Sequence, residues 1–294
     1  MNLSKHLLLP LFILLFISNA DILPTKREPP GQENMPVATR WLLDAAGESE
    51  RASISSVYII LCPKRSSQGT GFLLRGGPII TAGHVIQGYQ AVDILAVSPY
   101  GDKITFAKIL IDPKRDLALL FPDKELKGGL LLGSEENPSV GIKVSTWGFP
   151  EGWNGPAPLL SVGYLSGYMA QKKKSDSGSI IKLLVVNGAF NPGNSGGPLF
   201  LQDNNKVIGV VVSKLIPLNE YILSAIKALA ENKSGLIFPG KDEKGNPIKF
   251  VESQVVAIVL ERFKQLTQVM IGQAIHVSEL RAFLKEQGIK EPTY

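Results

Sequence analysis

Asn191-Pro192-Gly193-Asn194-Ser195-Gly196-Gly197-Pro198 is continued by Leu199-Phe200-Leu201, a turn at Asp203-Asn204-Asn205 and the apolar run Val207–Val212. Glycines on both sides of Ser195 allow a tight turn and a close backbone approach that a Cβ would block. Such a turn can present a hydroxyl while aiming amide N–H groups at one point, as acyl transfer requires around a developing oxyanion. A glycine-rich β-turn without chemistry would account for Gly196-Gly197-Pro198, but not for the whole octapeptide. After the serine the chain reads strand, turn, strand.

A nucleophilic serine needs a base, and the chain has three histidines. His6 falls in an N-terminal leader, which leaves His84 and His276. Gly193–Gly197 satisfies G-x-S-x-G, the nucleophile elbow of α/β-hydrolases, which would recruit Asp203 or Asp242 and then His276. That elbow passes straight into a helix, whereas here a strand follows. The other order is His84, an acid, then Ser195. His84 lies in Thr81-Ala82-Gly83-His84-Val85, after the apolar stretch Pro78–Ile80 and among small residues that suit an open cleft. His276 alternates with apolar Ile275 and Val277 and reads as a strand-end histidine. The acid should be buried and accept the N–H on the far side of the imidazole. Of Asp93, Asp102, Asp112, Asp116 and Asp123, Asp116 stands at the mouth of the apolar run Leu117–Leu120. Asp102 and Asp112 sit beside Gly and Pro in turns.

Outward from these blocks the chain is a series of short β-type runs. They are Ser56–Cys62, Gly71–Leu74, Pro78–Thr81, Ala91–Val97, Ile104–Ile111, Leu117–Phe121, Lys143–Trp147, Leu159–Leu165, Ile180–Val186 and Val207–Ser213. Turn residues separate them, the pattern of an all-β sandwich or barrel pair. Helical spacing is confined to Met35–Ala46, Asn219–Ala230, Ser253–Gln268 and Glu279–Gln287, the last with Ser278 as N-cap and Gly288 as stop.

The first twenty residues combine Lys5, the apolar run Leu7–Ile17 and Ser18-Asn19-Ala20, which predicts a secretory signal peptide cleaved after Ala20. The run is too short for a membrane span, so no stable span is expected after cleavage. Export to the periplasm or the medium is expected. The net charge of +5 is modest. Lys172-Lys173-Lys174 lacks interleaved aromatics and reads as a solvated loop, so nucleic acid is not an expected partner. Cys62 is the one cysteine; no internal disulfide is possible, and its apolar surroundings predict a buried, inert thiol.

Thr81–Val85, Asp116–Leu120 and Asn191–Leu199 resemble the three catalytic blocks of trypsin-like serine proteases of the bacterial HtrA/Deg kind. Ser67-Gln68-Gly69-Thr70-Gly71-Phe72, Trp147-Gly148-Phe149-Pro150, Ser161–Ser166 and Ile271–Ile275 resemble further blocks of that family. The resemblance covers residues 53–213 and 268–288. It implies a mainly β fold of two six-stranded antiparallel barrels, with a helical insertion and a C-terminal helix. The domain limits expected are signal peptide 1–20, tether and short helix 21–52, and protease domain 53–294. Within the last lie the N-barrel (about 53–125), C-barrel (about 135–276), insertion 217–267 and helix 278–288.

The resemblance implies catalytic roles for His84, Asp116 and Ser195, with the N–H groups of Gly193 and Ser195 as an oxyanion hole. Ala189 would floor the S1 pocket, and the strand carrying Val212, Ser213 and Lys214 would pair with substrate backbone. An apolar P1 residue of small or medium size is implied, with protein or peptide substrates and no cofactor or metal. Asn194 stands where zymogen-activated relatives carry Asp, so no new amino terminus is expected to pair there. The family's PDZ domains are not expected, since the sequence stops at Tyr294. A protease-fold protein used for binding or scaffolding is the alternative reading.

Overall fold

A computed structural model describes residues 35–63, 67–172, 180–188, 190–201, 205–214, 220–241, 246–266 and 271–291. The expected signal peptide, the tether at 21–33 and Ala189 lie outside the described residues.

The chain enters through Val37–Ala45 (α1) and Glu48–Ser55 (α2). The second has no apolar stripe to announce it; it is supported by Glu48 and Glu50 in its first turn, where carboxylates favour the helix dipole. Seven antiparallel strands follow: Val57–Cys62 (β1), Ser67–Leu73 (β2), Ile79–Ala82 (β3), Leu95–Val97 (β4), Lys103–Ile104 (β5), Phe106–Asp112 (β6) and Leu117–Pro122 (β7). Their order is β5-β4-β1-β2-β3-β7-β6. Six strands were expected. The seventh arises because the run from Ile104 to Ile111 divides at Thr105, whose carbonyl accepts the Asp123 N–H and whose hydroxyl bonds the Asp123 carboxylate. One residue therefore joins the two edges of the sheet, and the sheet is nearly closed into a barrel. A short helix, Gly83–Ile86 (α3), follows β3 directly.

The second barrel is closed and six-stranded. It comprises Lys143–Gly148 (β8), Leu159–Lys172 (β9), Ile180–Asn187 (β10), Pro198–Leu201 (β11), Val207–Lys214 (β12) and, past the hairpin Ile237–Lys241 (β13) and Pro247–Val251 (β14), Gly272–His276 (β15). Glu220–Glu231 (α4) and Glu252–Leu266 (α5) flank that hairpin, and Val277–Glu286 (α6) ends the fold. The N-cap of α6 is His276 rather than Ser278: its ring Nδ1 accepts the Ser278 N–H at 3.2 Å. Gly288, at φ 69°, stops the helix in the left-handed region, with the Ile289 N–H reaching back to Leu284 at 2.9 Å.

All four residues of β3 are buried, as are Leu117–Leu120 of β7, which is why both read as continuous apolar runs. One core cluster joins these strands to Ile181, Leu183 and Ile275 of the second barrel and to Val277, Leu280, Phe283 and Leu284 of α6. The two barrels and the last helix thus share apolar packing; removing a side chain such as Phe72 from it would cost about 3–5 kcal/mol. Among the described residues no helix is long and apolar enough to cross a membrane.

Candidate active site

The apolar ladder of β3 against β7 sets Ala82 opposite Leu117, so the residues just beyond each strand meet. The Gly83 N–H donates to the Asp116 carbonyl at 2.9 Å. Asp116 Oδ1 then accepts the His84 backbone N–H at 2.7 Å, and Oδ2 lies 2.7 Å from ring Nδ1. The buried acid expected from the sequence is not buried: the two side chains are 45% and 41% exposed. The reason is a cavity of about 350 Å³ beside them, between Ile111 and Pro113 on one side and Ile181, Leu183 and Ile275 on the other.

The octapeptide folds as its composition requires. Pro192 and Gly193 occupy the corners of a turn closed by the Asn194 N–H on the Asn191 carbonyl at 3.0 Å, with Gly193 at φ 91°. Proline first and a left-handed glycine second is the type II pattern. The Pro192 carbonyl accepts the Glu151 N–H at 2.6 Å. In a trans peptide the C=O and N–H point opposite ways, so this bond turns the Gly193 N–H to the other side. Among the described residues neither the Gly193 nor the Ser195 N–H meets an acceptor. From the first sheet, Thr70 Oγ1 donates to the Gly193 carbonyl at 2.6 Å, and the Thr70 N–H to the Ser195 carbonyl at 2.8 Å. A Cβ on Gly196 would stand 2.1 Å from the Thr70 carbonyl, so glycine is required for this approach. Asn194 is buried against Gly148.

Ser195 Oγ donates to the Val212 carbonyl at 3.2 Å, and among the described residues no bond to the His84 ring accompanies it. Val212 sits at a register shift in the pairing of β12 with β15, a bulge that takes its carbonyl out of the ladder. Ser213 and Lys214 pair with Gln273 and Gly272 on that side, while pairing with β11 stops at Val210. His276 stands apart from the site, fully buried at the end of β15. Thr70 and the Glu151 N–H escaped the sequence reading as working parts, although Thr70 lies inside the glycine-rich block 67–72. Val212 was expected on the substrate-pairing strand, but not at a bulge.

Residues 69–210 match the family model of the trypsin-like peptidase domain. This segment is similar to trypsin-like peptidase domains. The domain is similar over 156 residues, at 30% identity, to "Protease Do-like 4, mitochondrial" of Arabidopsis thaliana, covering 52% of this chain and 29% of that protein. At 33% identity over 149 residues it is similar to "Probable periplasmic serine endoprotease DegP-like" of Halomonas elongata, covering 50% and 29%. The chain thus spans under a third of the length of these relatives. In fold, it superposes on the active form of the Rv3671c protease of M. tuberculosis with a TM-score of 0.55 at 18% identity, covering 94% of this chain and 97% of that one. The HtrA-type protease AlgW gives 0.52 at 16% identity, covering 81% and 66%.

Proposed function

We propose that this chain is an exported serine endopeptidase with Ser195 as nucleophile, His84 as general acid and base, and Asp116 fixing the imidazole tautomer. The observation that carries the reading is the pairing of Asp116 with both N–H groups of His84, beside a serine turn whose two amides lack acceptors among the described residues.

In this mechanism substrate backbone takes the Val212 carbonyl and frees Ser195 Oγ to turn toward His84. Oγ attacks the scissile carbonyl carbon as its proton passes to Nε2. The oxyanion is held by the Gly193 and Ser195 N–H groups; one such donor lowers the barrier by about 3 kcal/mol. The proton then moves to the leaving amine, and water repeats the sequence on the acyl-enzyme. Ser213 and Lys214 extend the substrate-pairing edge. With Ala189 at the S1 floor, P1 is Val, Ala, Ile or Leu, because a buried Lys or Arg there would lack a countercharge. The leader at 1–20 and the periplasmic relatives support export.

The test is cleavage of an unfolded protein, with product termini read by mass spectrometry, alongside labelling by a fluorophosphonate. Ser195→Ala and His84→Ala should each lower cleavage by several orders of magnitude, and the double variant should be little worse than either, because the two act as a unit. Undiminished cleavage by Ser195→Ala would end the assignment. Termini dominated by Lys or Arg at P1 would refute the Ala189 floor.

A further inference from the structure

Asp116 is one of two non-glycine residues with positive φ among those described, at 56°. A left-handed φ is uncommon for a residue with a side chain, even for Asp, and persists where its surroundings over-determine it. The Asp116 carboxylate is committed to His84 and its carbonyl to Gly83. The remaining restraint comes from the residue before it.

Arg115 is buried, with a side chain 8% exposed. Asp112 Oδ1 accepts the N–H groups of Lys114 (2.9 Å) and Arg115 (3.2 Å), and Asp112 Oδ2 accepts from Arg115 Nη1. The same guanidinium reaches α6: Nη1 and Nη2 donate to Glu286 at 3.0 and 2.6 Å, and Nε to Glu279 at 3.3 Å. The other oxygen of Glu279 accepts the Lys182 N–H of β10 at 3.2 Å. One guanidinium therefore connects the turn before Asp116 to α6 and, through Glu279, to the barrel that carries Ser195. Buried ion pairs return little net stability, since desolvation offsets the attraction. Placement is where such a pair acts: a catalytic constellation must hold to about 0.5 Å, and His84 and Ser195 stand on different barrels.

We propose that Arg115 is a positioning residue, holding Asp116 and through it His84 against the second barrel by way of Glu279 and Glu286. This rests on the roles assigned to His84, Asp116 and Ser195 above. Arginine suits this place because its planar fork makes four hydrogen bonds to three carboxylates, one more than the three N–H donors of an ammonium allow.

The experiment compares Arg115→Met, Arg115→Lys and Glu286→Gln with the unaltered chain and with Ser195→Ala. It reads melting temperature, kcat and KM on a peptide, and the rate of fluorophosphonate labelling. At temperatures where melting shows the variants folded, Arg115→Met should lower kcat and labelling about tenfold or more with KM within about twofold. Arg115→Lys should recover part of this, and Glu286→Gln should lower kcat about threefold. Glu286 is 53% exposed, so its variant tests the idea even where Arg115→Met fails to fold. Wild-type kcat in folded Arg115→Lys and Glu286→Gln, with Ser195→Ala inactive, overturns the inference alone. Equal hydrolysis by the unaltered chain and Ser195→Ala overturns the underlying assignment instead.

Discussion

Asp116 takes both N–H groups of a single residue, His84: Oδ1 accepts the backbone N–H at 2.7 Å, and Oδ2 bonds ring Nδ1 at 2.7 Å. With Nδ1 as the donor, Nε2 is left as the basic nitrogen, the tautomer that can accept a proton from a hydroxyl. Asp116→Asn offers the ring an amide donor and reverses that choice. Asn also tolerates the left-handed φ, so the melting temperature should shift by only a few degrees. The expected fall in kcat on a peptide substrate is about 10³–10⁴-fold. A variant retaining a tenth of wild-type kcat would contradict the role given to the carboxylate.

Gly193→Ala probes the oxyanion turn. Its φ of 91° disfavours any side chain, and a Cβ would stand 2.4 Å from the Phe149 carbonyl oxygen and 2.5 Å from the Glu151 nitrogen. Relief requires the Pro192–Glu151 bond to break and the peptide to turn. The N–H that the bond had directed outward is then misaimed. Hydrolysis should drop about 10²–10³-fold, with far-ultraviolet circular dichroism unchanged. Near-wild-type hydrolysis would show that the Gly193 amide takes no part.

The β content was legible because each barrel strand buries one or both faces, so apolar runs between turn residues mark it. The division at Thr105 was not, since one uninterrupted run, Ile104–Ile111, serves two different partner strands. The block Asp116–Leu120 pointed to the right neighbour of His84 but to the wrong environment: an apolar strand begins there, yet the carboxylate faces an inter-barrel cavity. Thr70 illustrates a further limit. Its hydroxyl acts on Gly193, 123 positions away, and a contact of that kind leaves no periodic mark. His276 shows a strand-end histidine turned to another use, as the cap of α6.

Cys62 should be inert in the folded protein. Its thiol is fully buried beside the Val85 carbonyl, and burial, followed by the negative charge of Asp93, pushes it up to about 11. Thiolate is the reactive form, so at pH 7.5 iodoacetamide should leave native protein unmodified by mass and should add one group in denaturant. Stoichiometric labelling of the native chain within minutes would mean that the end of β1 opens readily.

Acid should destabilise the fold through His276. This residue is fully buried, and burial together with the nearby Lys182 charge pushes its ring down to about 4 from the ordinary 6.5. Nδ1 accepts the Ser278 N–H at 3.2 Å, a bond that protonation at Nδ1 would destroy. In the unfolded chain the ring takes its proton near 6.5, before the folded one does. Stability is therefore complete above about pH 6.5 and falls as the pH drops toward 4. The shift corresponds to roughly 3 kcal/mol at most, at about 1.4 kcal/mol per pH unit. Asn is a preferred N-cap that does not titrate, so His276→Asn keeps the helix start and removes the proton. Urea unfolding at pH 7 and at pH 4.5 should show the unaltered chain losing about 2 kcal/mol more than the variant. All other titrating groups are common to both, so their contributions cancel in the comparison. Parallel losses in the two proteins would mean that His276 charges without cost, through a local opening of the junction between β15 and α6.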